Sequence, residues 1–155
     1  MHQKIISEKE ALSRLMDLCS KSEKSSFEIK QKLKQWGLDS KIESIITKLK
    51  SEKFIDDLRF VKAFSNDKFL INKWGKIKIR YILQGHQISG NIIDEALSQI
   101  DQEKYSEIVE EEMTKKNQSL RISNRLKRKA KLYAFGTQRG YEAELIQEFL
   151  HKNGI

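Results

Sequence analysis

The chain has 155 residues, of which 38% are hydrophobic and 34% charged, with one cysteine, no proline and a formal net charge of +8. That balance is too apolar for a disordered polyelectrolyte and too polar for a membrane protein, and no run approaches the roughly 18–20 apolar residues of a spanning helix. The charged start, Met-His-Gln-Lys-Ile-Ile-Ser-Glu, lacks the hydrophobic stretch of a secretory leader, and Cys19 alone makes no internal disulfide. A cytoplasmic, folded protein without redox chemistry is expected.

In chain order, glycines and capping residues punctuate nine predicted helices. The first carries Ala11, Leu12, Leu15, Met16 and Cys19 at the three- and four-residue spacing of a helix with one buried side. Ser25-Ser26-Phe27-Glu28 reads as a capping box opening a second helix, whose Ile29, Leu33 and Trp36 face inward and which Gly37 closes in a left-handed turn. Asp39 or Ser40 is placed to cap a third, carrying Ile42, Ile45, Ile46 and Leu49.

Phe54-Ile55-Asp56-Asp57 then precedes a helix with Phe60, Val61, Phe64 and Ile71 on its core side; the aspartates are read as caps, since no histidine or third acid stands at metal-ligand spacing. Gly75 begins the fifth helix, with Ile79 and Leu83 inward, and Gly85 lies near its end. Ser89 caps the sixth, with Ile88 and Ile93 positioned as a hydrophobic staple. The seventh carries Tyr105, Ile108, Val109 and Met113, the eighth Ile122, Leu126, Ala130 and Tyr133, and the ninth Leu145, Ile146, Phe149 and Leu150.

These helices fall into a repeat of roughly fifty residues. Ile29, Leu33, Leu38, Ile42 and Ile46 recur as Ile79, Leu83, Ile88, Ile92 and Ala96, while Gly37, Leu38, Ile42 and Ile46 recur as Gly140, Tyr141, Leu145 and Phe149. The predicted fold is all-α: three tandem three-helix repeats, at residues 1–55, 56–101 and 102–155, stacked into an elongated, curved body suited to binding rather than catalysis.

Charge singles out one stretch. Lys115, Lys116, Arg121, Arg125, Lys127, Arg128, Lys129 and Lys131 occur with no acid among them. Arg121, Arg125 and Arg128, one turn apart, are expected to form a basic ridge, which like-charge repulsion disfavours unless an anionic partner relieves it. The bland alternative is a solvated face neutralised by Glu107, Glu110, Glu111 and Glu112 on the preceding helix. A second cluster, Lys73, Lys76, Lys78 and Arg80, surrounds Trp74, a residue that either stacks on a base or packs between repeats. Glycine-rich phosphate loops, cysteine–histidine metal patterns and nucleophile elbows are missing, and His2, His86 and His151 are scattered, so no enzyme and no cofactor is expected.

The motifs also carry a family resemblance. Lys24-Ser25-Ser26-Phe27-Glu28-Ile29 with Lys32-Leu33, Phe54-Ile55-Asp56-Asp57 with Arg59-Phe60, Gly75 with Lys78-Ile79 and Leu83, and Arg139-Gly140-Tyr141 resemble, in order and spacing, the repeat signatures of the RecX family. Where that family usually shows Ala-x-x-Trp, this chain has Val61 and Phe64. The resemblance implies a monomeric modulator that lies in the groove of the RecA filament on single-stranded or duplex DNA and mainly inhibits it, in homologous recombination, DNA repair and the SOS response. A helix-turn-helix-like module binding DNA directly, without RecA, is the alternative.

Overall fold

A computed structural model describes residues 6–155, so the first five residues of the charged start, His2 among them, lie outside the described residues. Among the described residues nine α-helices follow one another: α1 (Glu8–Lys21), α2 (Ser26–Gln35), α3 (Ile42–Ser51), α4 (Asp57–Leu70), α5 (Lys76–Gly85), α6 (Gly90–Ser98), α7 (Gln102–Ser119), α8 (Arg125–Arg139) and α9 (Ala143–Lys152). They pack in consecutive threes: α3 rests on α1 and α2, while α4, α5 and α6 touch one another, as do α7, α8 and α9. The chain exposes 9937 Å², about a fifth more than the roughly 8,100 Å² of a compact monomer of this mass, as an elongated array requires. None of the described helices is long and apolar enough to cross a membrane.

Local chemistry sets the helix starts. Ser7 accepts from Glu10 N at 3.1 Å, Asp56 from Arg59 N at 3.0 Å, Asp101 from Lys104 N at 3.0 Å and Asn124 from Lys127 N at 3.0 Å. The Ser25–Glu28 capping box is complete, at 3.1 Å and 3.0 Å. Each oxygen satisfies an amide that the first helical turn leaves without a partner. The third helix departs from expectation: neither Asp39 nor Ser40 caps it, and a 3₁₀ turn over Asp39–Lys41 leads into α3 instead. Ser89 occupies the cap position of α6 without a side-chain bond.

The repeat register is tighter than the sequence alone conveys. Ile79, Leu83, Ile88, Ile93, Ala96 and Leu97 correspond to Leu132, Gly136, Tyr141, Ile146, Phe149 and Leu150, and all twelve are buried. The left-handed residues Gly37, Gln87 and Gly140 close the second helix of each unit. In the first unit the third helix is displaced by one position, so that Ile42 and Ile45 match Ile93 and Ala96 rather than the expected pairing of Ile42 with Ile92 and Ile46 with Ala96. The 3₁₀ turn accounts for the shift, because it rises about 2.0 Å per residue against about 1.5 Å in an α-helix and spans the connection with one residue fewer.

Two cores result. Ile6, Ala11, Leu15, Ile29, Leu33, Ile42, Ile45, Leu49 and Ile55 form one within the first repeat, whereas the buried side chains from Phe60 to Leu150 form a single continuous core under the second and third. Four expected core positions, one just past α4 and three on α8, are exposed instead. Ile71 is 74% exposed, because α4 ends at Leu70 and turns Phe69 and Ser65 inward. In α8 the whole expected face is reversed: Leu126 is 77% and Tyr133 37% exposed, Ala130 is exposed, and Leu132 and Gly136 are buried. Gly136 settles the rotation, since a β-carbon there would stand 2.7 Å from Ile146 Cγ1.

Candidate partner-binding surface

The basic stretch begins in the last turn of α7, crosses the connection at Leu120–Asn124 and continues along α8. Lys115 lies 3.7 Å from Glu112, and the Lys116 ammonium stands over the Phe135 ring at 5.6 Å. Arg128 does not join a ridge with Arg121 and Arg125. Its guanidinium donates to the carbonyls of Asn117 (2.9 Å), Leu120 (3.1 Å) and Ile122 (2.6 Å) and to Asn117 Oδ1 (2.7 Å), closing the C-terminus of α7 where carbonyls lack helical partners. Arg121 lies ahead of α8, in the connection. The expected ridge is therefore not formed, because one member is consumed by the turn that orients the helix.

Among the described residues, Arg121, Arg125, Lys127, Lys129 and Lys131 are exposed and stand beyond ion-pair distance of any acid. Three of the four α7 acids expected to neutralise them are engaged elsewhere, Glu107 with Lys104, Glu110 with Lys152 at 2.8 Å, and Glu112 with Lys115 and Arg139, while Glu111 is exposed and beyond ion-pair distance of these bases. Between these bases lies an apolar strip of Leu126, Ala130, Tyr133 and Ala134, lining a shallow open depression with Lys129 and Thr137. Sequence reasoning assigned Leu126, Ala130 and Tyr133 of that strip to the core and passed over Ala134. Matching Leu132 and Gly136 to Ile79 and Leu83 would have turned it outward.

The cluster on α5 is more restrained than expected. Lys73, Lys76, Lys78 and Arg80 are half-buried. The Lys73 carbonyl accepts from Tyr141 Oη at 2.7 Å, Lys76 Nζ donates to Gln102 Oε1 at 2.9 Å and lies over the Tyr105 ring, and Arg80 is paired with Asp94. Trp74 packs on the shared core, with the Lys78 ammonium 4.4 Å and the Lys68 ammonium 4.9 Å from its ring centroid. It is a packing residue, the second of the two roles its sequence setting allows. The exposed apolar side chains of this helix are Ile77 and Tyr81, 53% and 73% exposed, which the sequence reading passed over.

Two junctions hold these surfaces in place. Between the second and third repeats the backbones meet directly: Gly75 N donates to Arg139 O at 2.7 Å and Ile77 N to Gly140 O at 3.0 Å. Tyr105 Oη accepts from Lys76 N at 3.0 Å and donates to Glu142. Burial, with the Glu142 bond next, pushes the Tyr105 hydroxyl far above its ordinary range, and burial pushes Tyr141 up to about 12. Between the first and second repeats the contact is polar at Asp57 and Arg59 and aromatic at His86. The Asp57 carboxylate accepts from Ser26 N at 2.9 Å and Ser26 Oγ at 3.1 Å, placing its charge on the N-terminus of α2. Arg59 Nε lies 2.6 Å from Glu23 Oε1, a bond that raises the arginine's pKa. His86 sits among Phe27, Phe60 and Phe64, with ring centroids 5.6–6.2 Å away. Asp56 is thus the cap the sequence anticipates, while Asp57 joins two repeats. No group of three or more histidine, cysteine or acidic side chains among the described residues is placed to hold a metal ion.

The chain is similar to proteins already described. Residues 56–97 match the family model "RecX, second three-helix domain", and residues 103–150 match "RecX, third three-helix domain". Over 152 residues it is 35% identical to the "Regulatory protein RecX" of Clostridium acetobutylicum, covering 92% of this chain and 70% of that protein. With the protein of the same name from Clostridium tetani the identity is 34%, over 85% of this chain and 62% of the relative. With that from Chlorobium phaeobacteroides it is 33%, over 92% and 93%. The fold also matches the crystal structure of a regulatory protein RecX, with a TM-score of 0.82 at 24% identity over 91% of this chain and 71% of that one. The crystal structure of RecX from Lactobacillus salivarius matches with a TM-score of 0.82 at 16% identity, over 93% and 94%.

Proposed function

The chain belongs to the RecX family of regulatory proteins, and on that ground we propose that it binds the RecA filament on DNA and restrains its recombinase and related activities, mainly by inhibition. It acts in the cytoplasm as a monomer and makes or breaks no covalent bond of its own. The observation that carries this reading is the 35% identity to a regulatory protein RecX across nearly the whole chain. The geometry supports it in kind. Three units, divided at residues 1–55, 56–101 and 102–155, offer a long surface whose weak contacts add through effective concentration. The third supplies unpaired positive charge at Arg121, Arg125, Lys127, Lys129 and Lys131. Lys115, Lys116, Lys73, Lys76, Lys78 and Arg80 add a shallower positive margin, and Arg128 shapes the turn that presents α8.

The test is RecA-driven ATP hydrolysis and strand exchange on single-stranded DNA. Stoichiometric amounts of the protein should inhibit both; undiminished activity would reject the reading. The same unpaired bases favour a second reading, direct DNA binding by α8. In that case a mobility shift without RecA should reveal tight binding whose logarithm falls linearly with the logarithm of salt concentration, one unit of slope for roughly each phosphate engaged.

A further inference from the structure

The outer face of α8 has the layout of a protein interface rather than of a phosphate-binding strip. Protein interfaces place apolar side chains at the centre and charge at the rim. Here Leu126 and Ala130 stand four residues apart, and Tyr133 and Ala134 lie three and four residues beyond Ala130, which is one side of a helix, and all four are exposed, Leu126 at 77%. Lys129 borders the strip beside Leu126 and Tyr133, and Lys127 and Lys131 border it beside Ala130 and Ala134. None of these lysines lies within ion-pair distance of an acid among the described residues. Of the strip only Tyr133 offers a hydroxyl to a phosphate or a ring to a base, while Leu126, Ala130 and Ala134 offer neither, so a nucleic acid would use the rim and Tyr133 and leave most of the centre wet. A second copy of this chain would set lysine against lysine. The occupant that satisfies both centre and rim is an acidic surface with an apolar middle.

The neighbouring repeat bears the apolar part of this layout, without its unpaired rim. Ile77 and Tyr81 of α5, at the positions that match Ala130 and Ala134, are 53% and 73% exposed. In the first repeat the matching position is Phe27, whose ring faces His86 at 5.6 Å and is partly covered. Two successive repeats thus present equivalent apolar faces, as suits a partner that itself repeats.

We propose that the outer face of α8 docks an acidic, apolar-centred protein surface, and that on the filament this surface belongs to the recombinase rather than to its DNA. The proposal deepens the regulatory reading above and rests on it. Its test uses the full chain with Leu126→Ser and Tyr133→Ser combined, and separately Ala130→Glu, which keeps a good helix former while adding an acid to the strip. Circular dichroism and melting confirm that each is folded. Binding is measured on RecA filaments assembled on single-stranded DNA and on the same DNA alone, and RecA ATP hydrolysis is followed in parallel. Both variants should bind filaments at least tenfold more weakly than wild type, with Ala130→Glu recovering part of the loss at high salt, while wild type and the double variant hold naked DNA equally. Inhibition and filament binding as strong as wild type in the folded variants would overturn the docking face and leave the regulatory reading standing. Equal weakening on naked DNA would assign the strip to nucleic acid, and a wild-type dimer dispersed by the double variant would assign it to self-association; either overturns the proposal. A wild-type protein that neither binds nor inhibits filaments would remove the regulatory reading and this proposal together.

Discussion

Replacing Gly75 by alanine tests the junction that fuses the second and third repeats. The added β-carbon would stand 2.1 Å from the Gly140 carbonyl oxygen, 2.2 Å from its carbon and 2.5 Å from Tyr141 N. All three are backbone atoms, and the Tyr141 ring behind them is 2% exposed, so no flexible side-chain end is available to yield. Separating the strands of backbone enough to admit a methyl group breaks the Gly75–Arg139 and Ile77–Gly140 hydrogen bonds, each worth about 0.5–1.5 kcal/mol. Residual overpacking adds about 1–3 kcal/mol, for a combined destabilisation near 4 kcal/mol. At about 2–4 °C per kcal/mol for a chain of this size, the transition of the shared core should fall by roughly 8–16 °C. Gly85→Ala is the control: it lies at the end of α5 with nothing within 4 Å of the added carbon, and should leave stability unchanged or raise it by up to about 1 kcal/mol. Thermal unfolding by calorimetry and far-ultraviolet circular dichroism reads both. A Gly75→Ala protein melting within about 2 °C of wild type would show that the backbones do not meet as described.

Arg128→Gln should cost about 1.5–3 kcal/mol by removing charge-assisted bonds to the end of α7, whereas Arg121→Gln with Arg125→Gln should stay within about 0.5 kcal/mol; equal melting temperatures for the two proteins would refute the division between a turn-closing arginine and surface bases. Asp57→Ala should release the N-terminus of α2 at a cost of about 1.5–3 kcal/mol, with hydrogen exchange accelerating in the first repeat before the others; uniform exchange would show that the carboxylate does not join the repeats. Tyr141 keeps its proton up to about pH 12 when folded, against 10 for the free side chain. Its contribution to stability is therefore complete below pH 10 and lost as pH rises from 10 to 12, and the shift of Tyr105 acts in the same direction. Tyr141→Phe should flatten the stability curve over that range, and an unchanged slope in alkaline denaturant titrations would refute the assignment.

What the sequence disclosed and what it concealed follow the range of the interactions. Ser25 with Glu28, Asp56 with Arg59 N, and the left-handed Gly37 and Gly140 are settled within four residues, so the starts and stops of helices were legible. The inner faces of α1, α7 and α9 were legible too, because each offers one apolar stripe. Helix α8 offers two. Leu126, Ala130 and Tyr133 make an uninterrupted apolar one, but the buried stripe of Leu132 and Phe135 opens on Arg128 and contains Gly136, which hydrophobicity does not register and which only Ile146 and Met113 explain. The same limit concealed Arg128 and Asp57, whose partners, α7 carbonyls and the α2 N-terminus, lie on other helices. Of the candidate surface, the exposed lysines of α8 were visible as a charge run, while the apolar strip among them became visible only once the helix was seated.

The two-core arrangement also bears on how the polypeptide emerges from the ribosome. Every side chain of the first core precedes Asp56, so the N-terminal bundle is able to close as soon as it clears the exit tunnel. The second unit has no such independence. The amides of Gly75 and Ile77 find acceptors only at Arg139 and Gly140, about sixty residues later, which at usual elongation rates is a delay of several seconds. During that interval the nascent middle bundle lacks the acceptors for its Gly75 and Ile77 amides, and water alone can satisfy them.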